Sequence, residues 1–244
     1  MGSSPGLCRL HFAPEGELLA SAKECEAQVF LHWFGNTRQQ LAQEYLPYDG
    51  ASTFLALADS KGEVLAAARL IPPGASGLKT LDDVSQPPWG VDGPRAARAA
   101  KLDLDSTWDV ATIGVRGGVR GPGVHHALAL YHGLVLAGRA NQVSGFVAIM
   151  DEKVRTLLGA IGLEFHPLPG TAAGPYLGSA ASTPVYAEFD RLLDNQRVVA
   201  PEAHRLVTLG IGLDGVSVPA LDHFRLCARP RADVVIVSST TDAA

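Results

Sequence analysis

The pattern of hydrophobic and polar positions between residues 108 and 165 predicts a strand, a loop, a helix, a second strand and a second helix. Residues 108–115 are a short apolar run, rich in β-branched side chains, that ends near a pair of glycines, which is typical of a strand. Residues 143–151 form a second such run, and residues 152–165 place apolar side chains at helical spacing. This order of elements predicts an α/β protein.

The helix predicted between the two strands has an apolar face and a polar face. The apolar face carries Val124, Leu128, Tyr131, Val135 and Gly138. The opposite face carries His125, His132 and Arg139. We therefore expect the histidines at positions 125, 126 and 132 to lie on the helix surface, facing solvent or a phosphate, rather than to bind zinc.

The loop from Arg116 to His126 is rich in glycine and leads directly into this helix. Glycine allows a ligand to approach the backbone closely. Unpaired amides at the helix N-terminus, the helix dipole and the guanidinium of Arg116 or Arg120 would together bind a phosphate or pyrophosphate. The alternative is a glycine-rich turn without a ligand, but ordering so many glycines is costly in entropy unless something holds them.

The remaining predicted elements surround this segment. Helices are predicted at residues 17–34, 38–46 (capped by Asn36 or Thr37) and 95–101. Strands are predicted at residues 53–58 and 63–71, joined by a turn at 59–62, at 182–189, and within 216–224 and 233–239. We divide the chain into a flexible lead (1–16), one domain (17–195) and an extension (196–244) that completes or flanks the sheet and ends in a disordered tail (238–244).

Composition and charge exclude several classes of function. The chain has 244 residues, of which 47% are hydrophobic and 18% charged, which is ordinary for a globular protein. A net charge of -5 with scattered basic residues argues against binding to nucleic acid or to a membrane surface. The cysteines, Cys8, Cys25 and Cys227, indicate neither a disulfide framework nor a metal site. Without a long apolar run or a signal peptide, we expect a cytoplasmic protein.

The segment Arg120-Gly-Pro-Gly123-Val-His125 resembles the Arg/Gln-x-x-Gly-x-Gly/Ala motif of the GNAT N-acyltransferase superfamily at every position but the last. Ile149-Met-Asp151 and the segment 160–165 are similar to the landmarks that follow this motif in the family. The resemblance implies the GNAT fold, which is a central mixed and twisted β-sheet flanked by helices. It also implies direct attack of a small-molecule amine on an acyl thioester in a ternary complex.

The same resemblance implies where an acyl-CoA or acyl-phosphopantetheine donor binds. Backbone amides of Ile113, Gly114 and Val115 would pair with the pantetheine arm, and Asp151 would mark the end of the second strand. The phosphates would be held by Arg116, Arg120, Gly121, Gly123, Val124 and His125. An acidic acyl carrier protein, if it is the donor, would dock near Arg116, Arg120 and Arg139. No metal is implied.

Two catalytic residues follow from the resemblance. Asp109 is the expected general base because it lies 11 residues before Arg120. Family members that use a base carry an acidic residue at this offset. Alternatively, Asp109 forms a structural ion pair and the acceptor amine loses its proton to water. Strict alternation along the strand would place Asp109 and Thr112 on opposite faces. The tyrosine that usually serves as general acid would fall at Leu158. Tyr176 or Tyr186 is therefore expected to protonate the thiolate, and the alternative is that the thiolate leaves unprotonated.

A second resemblance covers the N-terminal half. Tyr48-Asp49, the hairpin, Arg69-Leu70 and the segment 78–83 are similar to acyl-homoserine-lactone synthases. Because a guanidinium can bind a carboxylate with two hydrogen bonds, we assign Arg69 to an acceptor carboxylate, with a structural ion pair as the competing role. Trp33 and Trp108 are also assigned to substrate binding. The Glu-x-Ser-Arg of those synthases is Asp109-Val-Ala-Thr112 here. A lactone synthase that uses S-adenosylmethionine and a CoA-binding domain without activity therefore stand as alternatives to the N-acyltransferase.

Overall fold

The computed structural model describes residues 7–117 and 123–226. The strands in these ranges are β1 (Cys8–Phe12), β2 (Thr53–Ala58), β3 (Val64–Ile71), β4 (Thr107–Val115), β5 (Gly145–Asp151), β6 (His166–Pro167), β7 (Gly174–Tyr176), β8 (Ser179–Glu188) and β9 (Val216–Ser217). The α-helices are α1 (Gly16–Phe34), α2 (Arg38–Tyr45), α3 (Lys79–Asp83), α4 (Gly93–Ala99), α5 (Gly123–Ala140), α6 (Glu152–Ala160), α7 (Phe189–Val199) and α8 (Pro201–Val207).

The strands form a mixed sheet in the order β6-β8-β5-β4-β3-β2-β1-β9, with β7 pairing to β8. Strands β4 and β5 run parallel, as do β1 and β9, whereas the other neighbours are antiparallel. The predicted mixed α/β architecture with a helix-flanked sheet is thereby confirmed.

Helices cover both faces of the sheet. On one face, Cys25 of α1 packs against Phe54 of β2. On the other face, Leu130 of α5 packs against Leu55 of the same strand. Consecutive residues of a strand point to opposite faces, so β2 is buried on both sides. Helices α3 and α4 pack with Val147 of β5, whereas α6, α7 and α8 contribute to the same apolar cluster as α5.

Local sequence explains several element boundaries. Helix α1 ends at Gly35, whose left-handed backbone (φ 75°) suits glycine and whose amide bonds the Leu31 carbonyl. Helix α2 begins with a capping box between Thr37 and Gln40. The helix predicted over 152–165 ends earlier, at Ala160, because Gly162 takes a left-handed conformation (φ 77°) that terminates it.

Three parts of the chain differ from the sequence-based expectations. Residues 8–12, expected in the flexible lead, form β1 and pair with β2, because their alternate side chains are buried in the core. Helix α7 crosses the expected boundary at residue 195 and, with α8, covers α5. Residues 216–217 pair with β1, whereas the segments 233–239 and 238–244 lie outside the described residues.

The structure also bears on membrane spanning and metal binding. Among residues 7–117 and 123–226, no helix is long and apolar enough to cross a membrane. In the same ranges, no group of three or more His, Cys, Asp or Glu side chains is arranged to hold a metal ion.

Candidate active site

Strands β4 and β5 separate along their length. They pair only at their beginnings, where Thr107, Trp108 and Asp109 oppose residues 145–147. Beyond Asp109 the two parallel strands have no register partners in each other, although β4 continues to Val115. A gap therefore opens in the middle of the sheet, with β3 on one side and β8 on the other.

A largely apolar cleft fills this gap and has a volume of about 470 Å³. Its walls come from α1, β4, α5, β5 and the first turns of α6. The lining residues are Val29, Phe30, Trp33, Phe34, Val110, Ala111, Thr112, Ile113, Gly114, Val115, Ala127, Leu130, Tyr131, Ala148, Ile149, Met150, Asp151, Lys153, Val154 and Leu157. A cleft of this size and composition suits a small molecule with a long apolar part.

The backbone of β4 presents hydrogen-bonding groups to this cleft. The Arg116 amide donates to the carbonyl of Leu65 in β3. Backbone groups of an antiparallel strand point alternately toward and away from the partner strand. The amides of Ile113 and Val115 therefore face the gap, whereas the amide of Gly114 faces β3. Of the three amides predicted to bind a pantetheine arm, two therefore face the gap in which the arm would lie.

A β-bulge in β4 changes which side chains share a face. Arg69 pairs with Thr112 and the next residue, Leu70, pairs with Val110, so Ala111 is the extra residue. The bulge reverses the alternation, and Asp109 and Thr112 point to the same face, toward α3 and α1 respectively. The expectation that they lie on opposite faces is wrong, because it assumed an unbroken strand.

Asp109 is sealed inside the protein. Its side chain is 0% exposed and accepts hydrogen bonds from the amide (2.5 Å) and hydroxyl (3.0 Å) of Thr80. Burial raises the pKa of the Asp109 carboxyl to about 7. Asp109 does not line the cleft, so the structure does not bring the expected general base to the place where a thioester would lie.

The raised pKa of Asp109 has a consequence for stability. The ordinary pKa of an aspartate carboxyl is 3.8. Between about pH 4 and pH 7, Asp109 is therefore protonated in the folded state but ionised in the unfolded chain. The free energy of unfolding consequently falls as the pH rises through this range. We expect Asp109→Asn to abolish this decrease in the free energy of unfolding, which is on the order of a few kcal/mol. Urea unfolding at pH 4.5 and pH 8 would measure it.

The exposed Asp105 offers a matched control for this experiment. Asp105→Asn should leave the difference between the two pH values as it is in the unmodified protein. Equal pH dependence in Asp109→Asn and the unmodified protein would show that Asp109 ionises normally.

Arg69 is occupied by a buried ion pair. Its guanidinium donates from Nε (2.9 Å) and Nη2 (2.6 Å) to the two carboxylate oxygens of Glu26, and from Nη1 to Asp49 (3.3 Å). The rings of Tyr45 and Phe54 lie 4.4 and 4.8 Å from it. The side chain is 5% exposed. This arrangement favours the structural ion pair over the acceptor clamp, because the planar donors of the guanidinium already have partners.

The three aromatic residues expected at the site are separated from one another. Trp33 is 65% exposed and lines the mouth of the cleft. Trp108 is buried in the core beside α5 and does not line the cleft. Tyr176 donates its hydroxyl to Asp83, outside the cleft, and burial raises its pKa. A tyrosine so held is a weak proton donor, so the structure does not favour Tyr176 as general acid.

The structure places some of the expected phosphate ligands. Gly123 begins α5, and among the described residues no atom outside its own helix would lie within 4 Å of an added Cβ. Val124 and His125 follow it and are exposed. The guanidinium of Arg116 is bonded to Glu63 instead of facing α5. Arg120 and Gly121 lie outside the described residues.

At the other wall, Asp151 lines the cleft and caps α6 through the Lys153 amide. Lys153 also lines the cleft but was not assigned from the sequence; its place two residues after the strand end was the available signal. A cation there would attract the negative charge of a donor.

The histidines of α5 do not share one environment. His125 is exposed, as expected. His126 and His132 are buried, and their expected place on the helix surface is wrong. His126 lies 3.9 Å from the Cys8 sulfur, and the Nδ1 atom of His132 lies 2.9 Å from the Val207 carbonyl. Strand β1 lies against His126 and helix α8 against His132, and the periodicity of α5 alone could not indicate these neighbours.

An apolar cavity of about 60 Å³ lies behind the cleft. Val110, Ile113, Tyr131, Ala148 and Met150 line both spaces. The deeper wall is formed by Leu134, Val135, Phe146, Leu158, Leu163, Phe165, Phe189, Leu192, Leu193 and Val207. The cavity therefore adjoins the cleft and lies in the core between the sheet and helices α5 to α8.

No known protein family profile matches this chain, and no curated protein matches its sequence. Solved structures with a similar fold include FeeM, an N-acyl amino acid synthase from uncultured soil microbes, at 13% identity over 80% of this chain and 96% of that chain (TM-score 0.59). They also include BjaI, a CoA-dependent acyl-homoserine lactone synthase whose structure contains SAM and isopentyl-CoA. It matches at 15% identity over 90% of this chain and 97% of that chain, with a TM-score of 0.57.

TofI, in a ternary complex with an inhibitor and MTA, matches at 13% identity over 81% of this chain and 99% of that chain, with a TM-score of 0.51. At these identities the likeness establishes the fold. The chain has the GNAT fold over most of its length, as the motif in residues 120–125 implied.

Proposed function

We propose that this protein is an N-acyltransferase that moves an acyl group from a CoA thioester to the amine of a small molecule. The separation of β4 and β5 carries the proposal, because it leaves amides of β4 unpaired beside an apolar cleft. An extended arm with its own amides can bind to such a strand edge through main-chain hydrogen bonds. The pantetheine part of CoA has this character.

Features at the two ends of the cleft support a CoA donor. Helix α5 begins at Gly123, and the amides of a first helical turn, together with the helix dipole, attract phosphate. Lys153 adds a positive charge across from it. Arg116, which was expected to help dock an acidic carrier protein, is already paired with Glu63. We therefore favour CoA over a phosphopantetheinyl carrier protein, and BjaI is a CoA-dependent enzyme of the same fold.

The cavity behind the cleft supports an acyl group longer than acetyl. It is lined by apolar side chains and shares Val110, Ala148 and Met150 with the cleft, so a shift of these side chains would join the two spaces. Each buried methylene contributes about 0.8 kcal/mol. An acyl chain of several carbons would gain this energy by entering the cavity, whereas an acetyl group would remain in the cleft.

The cleft favours direct attack by the amine. Neither Cys8 nor Cys25 lines it, and burial raises the pKa of both thiols, that of Cys25 to about 11. A cysteine with a raised pKa is a poor nucleophile. Transfer without a covalent enzyme intermediate requires donor and acceptor to be bound together.

Thiol release tests the proposal. The protein would be mixed with acyl-CoA donors from acetyl to dodecanoyl and with a panel of amines that includes the amino acids and S-adenosylmethionine. We expect thiol release that depends on an amine, with a donor longer than acetyl preferred. Tight CoA binding without release would indicate a sensing domain, methylthioadenosine release would indicate a lactone synthase, and turnover only with an acylated carrier protein would change the donor.

Gly123→Asp tests the phosphate end of the site. A Cβ added at Gly123 meets no atom of residues 7–117 or 123–226 within 4 Å, so we expect these parts of the fold to be unaffected. A carboxylate at the start of α5 would repel phosphate, and we expect CoA affinity to fall about tenfold, the equivalent of the 1–2 kcal/mol of a charge near a helix end. Gly123→Asn has the same shape without the charge and should bind CoA nearly normally in calorimetry. Equal affinities of the two variants would place the phosphates elsewhere.

A further inference from the structure

The hydroxyl of Thr112 links the cleft to a second pocket on the other side of α1. Thr112 lines the cleft and is 6% exposed. Its hydroxyl donates a hydrogen bond of 2.6 Å to Glu26, which is 4% exposed. Glu26 in turn lines a pocket of about 390 Å³ between α1 and α2. A short hydrogen-bonded chain therefore joins the proposed substrate site to a separate space.

Thr112 retains one free position for a hydrogen bond. A hydroxyl has one donor and two acceptor sites. The donor is used by Glu26, and one acceptor receives the Arg69 amide at 3.2 Å. The remaining lone pair can accept a proton from a group bound in the cleft.

The other polar groups near the cleft are less suited to take this proton. Asp109 does not line the cleft. Asp151 lies at the far end of β5, where it accepts from the Lys153 amide and the Ser179 hydroxyl. Tyr131 lines the cleft, but burial raises its pKa. Thr112, by contrast, lies close to the point where β4 leaves β5 and has a carboxylate behind it.

The surroundings of Glu26 hold it in place. Arg69 binds both of its oxygens, Asp49 lies on the other side of Arg69, and the ring of Tyr45 packs over the guanidinium. The Tyr45 hydroxyl donates to the Ala111 carbonyl at 3.1 Å. Tyr45 thus stands between the two pockets. A proton that reaches Glu26 can leave through the pocket between α1 and α2 without crossing the cleft.

We propose that Thr112 and Glu26 relay the proton of the acceptor amine out of the cleft during acyl transfer. This inference rests on the proposed function. The Thr112 oxygen takes a proton from the ammonium form of the acceptor while the Thr112 hydroxyl proton passes to Glu26, and the neutral nitrogen then bonds to the thioester carbonyl carbon. The carbon–sulfur bond breaks, and the leaving thiolate takes up the second proton that the nitrogen loses. Glu26 then releases its proton to water in the pocket between α1 and α2.

Thr112→Val tests the relay because valine has the shape of threonine without the hydroxyl. The assay uses hexanoyl-CoA and the amine that the unmodified protein acylates fastest. We expect kcat to fall by about two to four orders of magnitude, as for loss of a general base, with the Kd for CoA unchanged. Thr112→Ser keeps the hydroxyl and should retain most of the activity.

The pH profile separates a relay from a structural role. In Thr112→Val the rate should rise with pH as the acceptor amine loses its own proton, so the loss should be smaller at pH 9 than at pH 7. Glu26→Gln, which can bond to Arg69 but cannot take the proton, should show the same profile. If Glu26→Gln does not fold, the comparison of Thr112→Val with Thr112→Ser distinguishes the relay from a structural role.

The outcomes distinguish the two proposals. Near-normal turnover of Thr112→Val, or an equal loss in Thr112→Ser, would overturn the relay while leaving the acyltransferase intact. Absence of thiol release by the unmodified protein with every amine would overturn both.

Discussion

Ala148→Phe is expected to convert this protein into one that uses only short acyl donors. Ala148 lies on β5 at the junction of the cleft and the apolar cavity, and it shares a strand face with Phe146 and Met150. A phenyl ring there would close the junction. A hexanoyl chain has four methylenes more than acetyl, and their burial is worth about 3 kcal/mol. The preference in kcat/KM for hexanoyl-CoA over acetyl-CoA should therefore fall about a hundredfold.

The acetyl donor provides the internal control in this experiment. Overpacking a core position costs about 1–3 kcal/mol of stability, so Ala148→Phe should melt at a lower temperature but still turn over acetyl-CoA. Ala148→Gly, which leaves the junction open, should keep the preference for hexanoyl-CoA. An unchanged preference in Ala148→Phe would mean that the acyl chain does not enter the cavity behind β5.

Arg69→Met is expected to cause a large loss of stability. It would leave the Glu26 carboxylate buried with only the Thr112 hydroxyl as partner. Breaking a buried ion pair by removing one partner costs about 3–5 kcal/mol. For a chain of this size, the melting temperature should drop by about 6–20 °C. Calorimetry would measure the drop.

The double variant Glu26→Leu with Arg69→Met separates burial of charge from loss of packing. Replacing both partners of a buried pair with apolar residues is often neutral, so the double variant should regain most of the stability. It should nevertheless remain slow in acyl transfer, because it lacks the proton acceptor that we propose. A normal melting temperature for Arg69→Met, combined with a raised KM for the acceptor, would instead restore the interpretation of Arg69 as a carboxylate clamp.

Much of the central architecture was predictable from local patterns. The runs 108–115 and 143–151 are strands to within two residues, because short apolar runs bounded by glycine or polar residues have few other uses in a folded chain. The hairpin of β2 and β3 and the helices α1 and α2 were predictable for the same reason. Strand β1, whose five residues alternate apolar and polar, and helix α7, whose apolar Phe189, Leu192 and Leu193 have helical spacing, carry the same kind of signal, although neither was predicted.

The candidate site was only partly predictable. The motif of residues 120–125 indicated the fold and the start of α5, and the space between the two strands was expected to hold the donor. The roles of individual side chains were less accessible. Asp109 was chosen by its offset from Arg120, whereas the structure buries it against Thr80.

The sequence by itself determined which segments are strands and helices, because hydrophobic periodicity is a local property of the chain. The tertiary structure decided which side chains meet. The bulge at Ala111 turns Thr112 toward Glu26, a residue 86 positions away, and the packing of α8 buries His132. Bulges and long-range contacts arise from how elements pair and pack, and the spacing of residues in one segment carries no information about the partner.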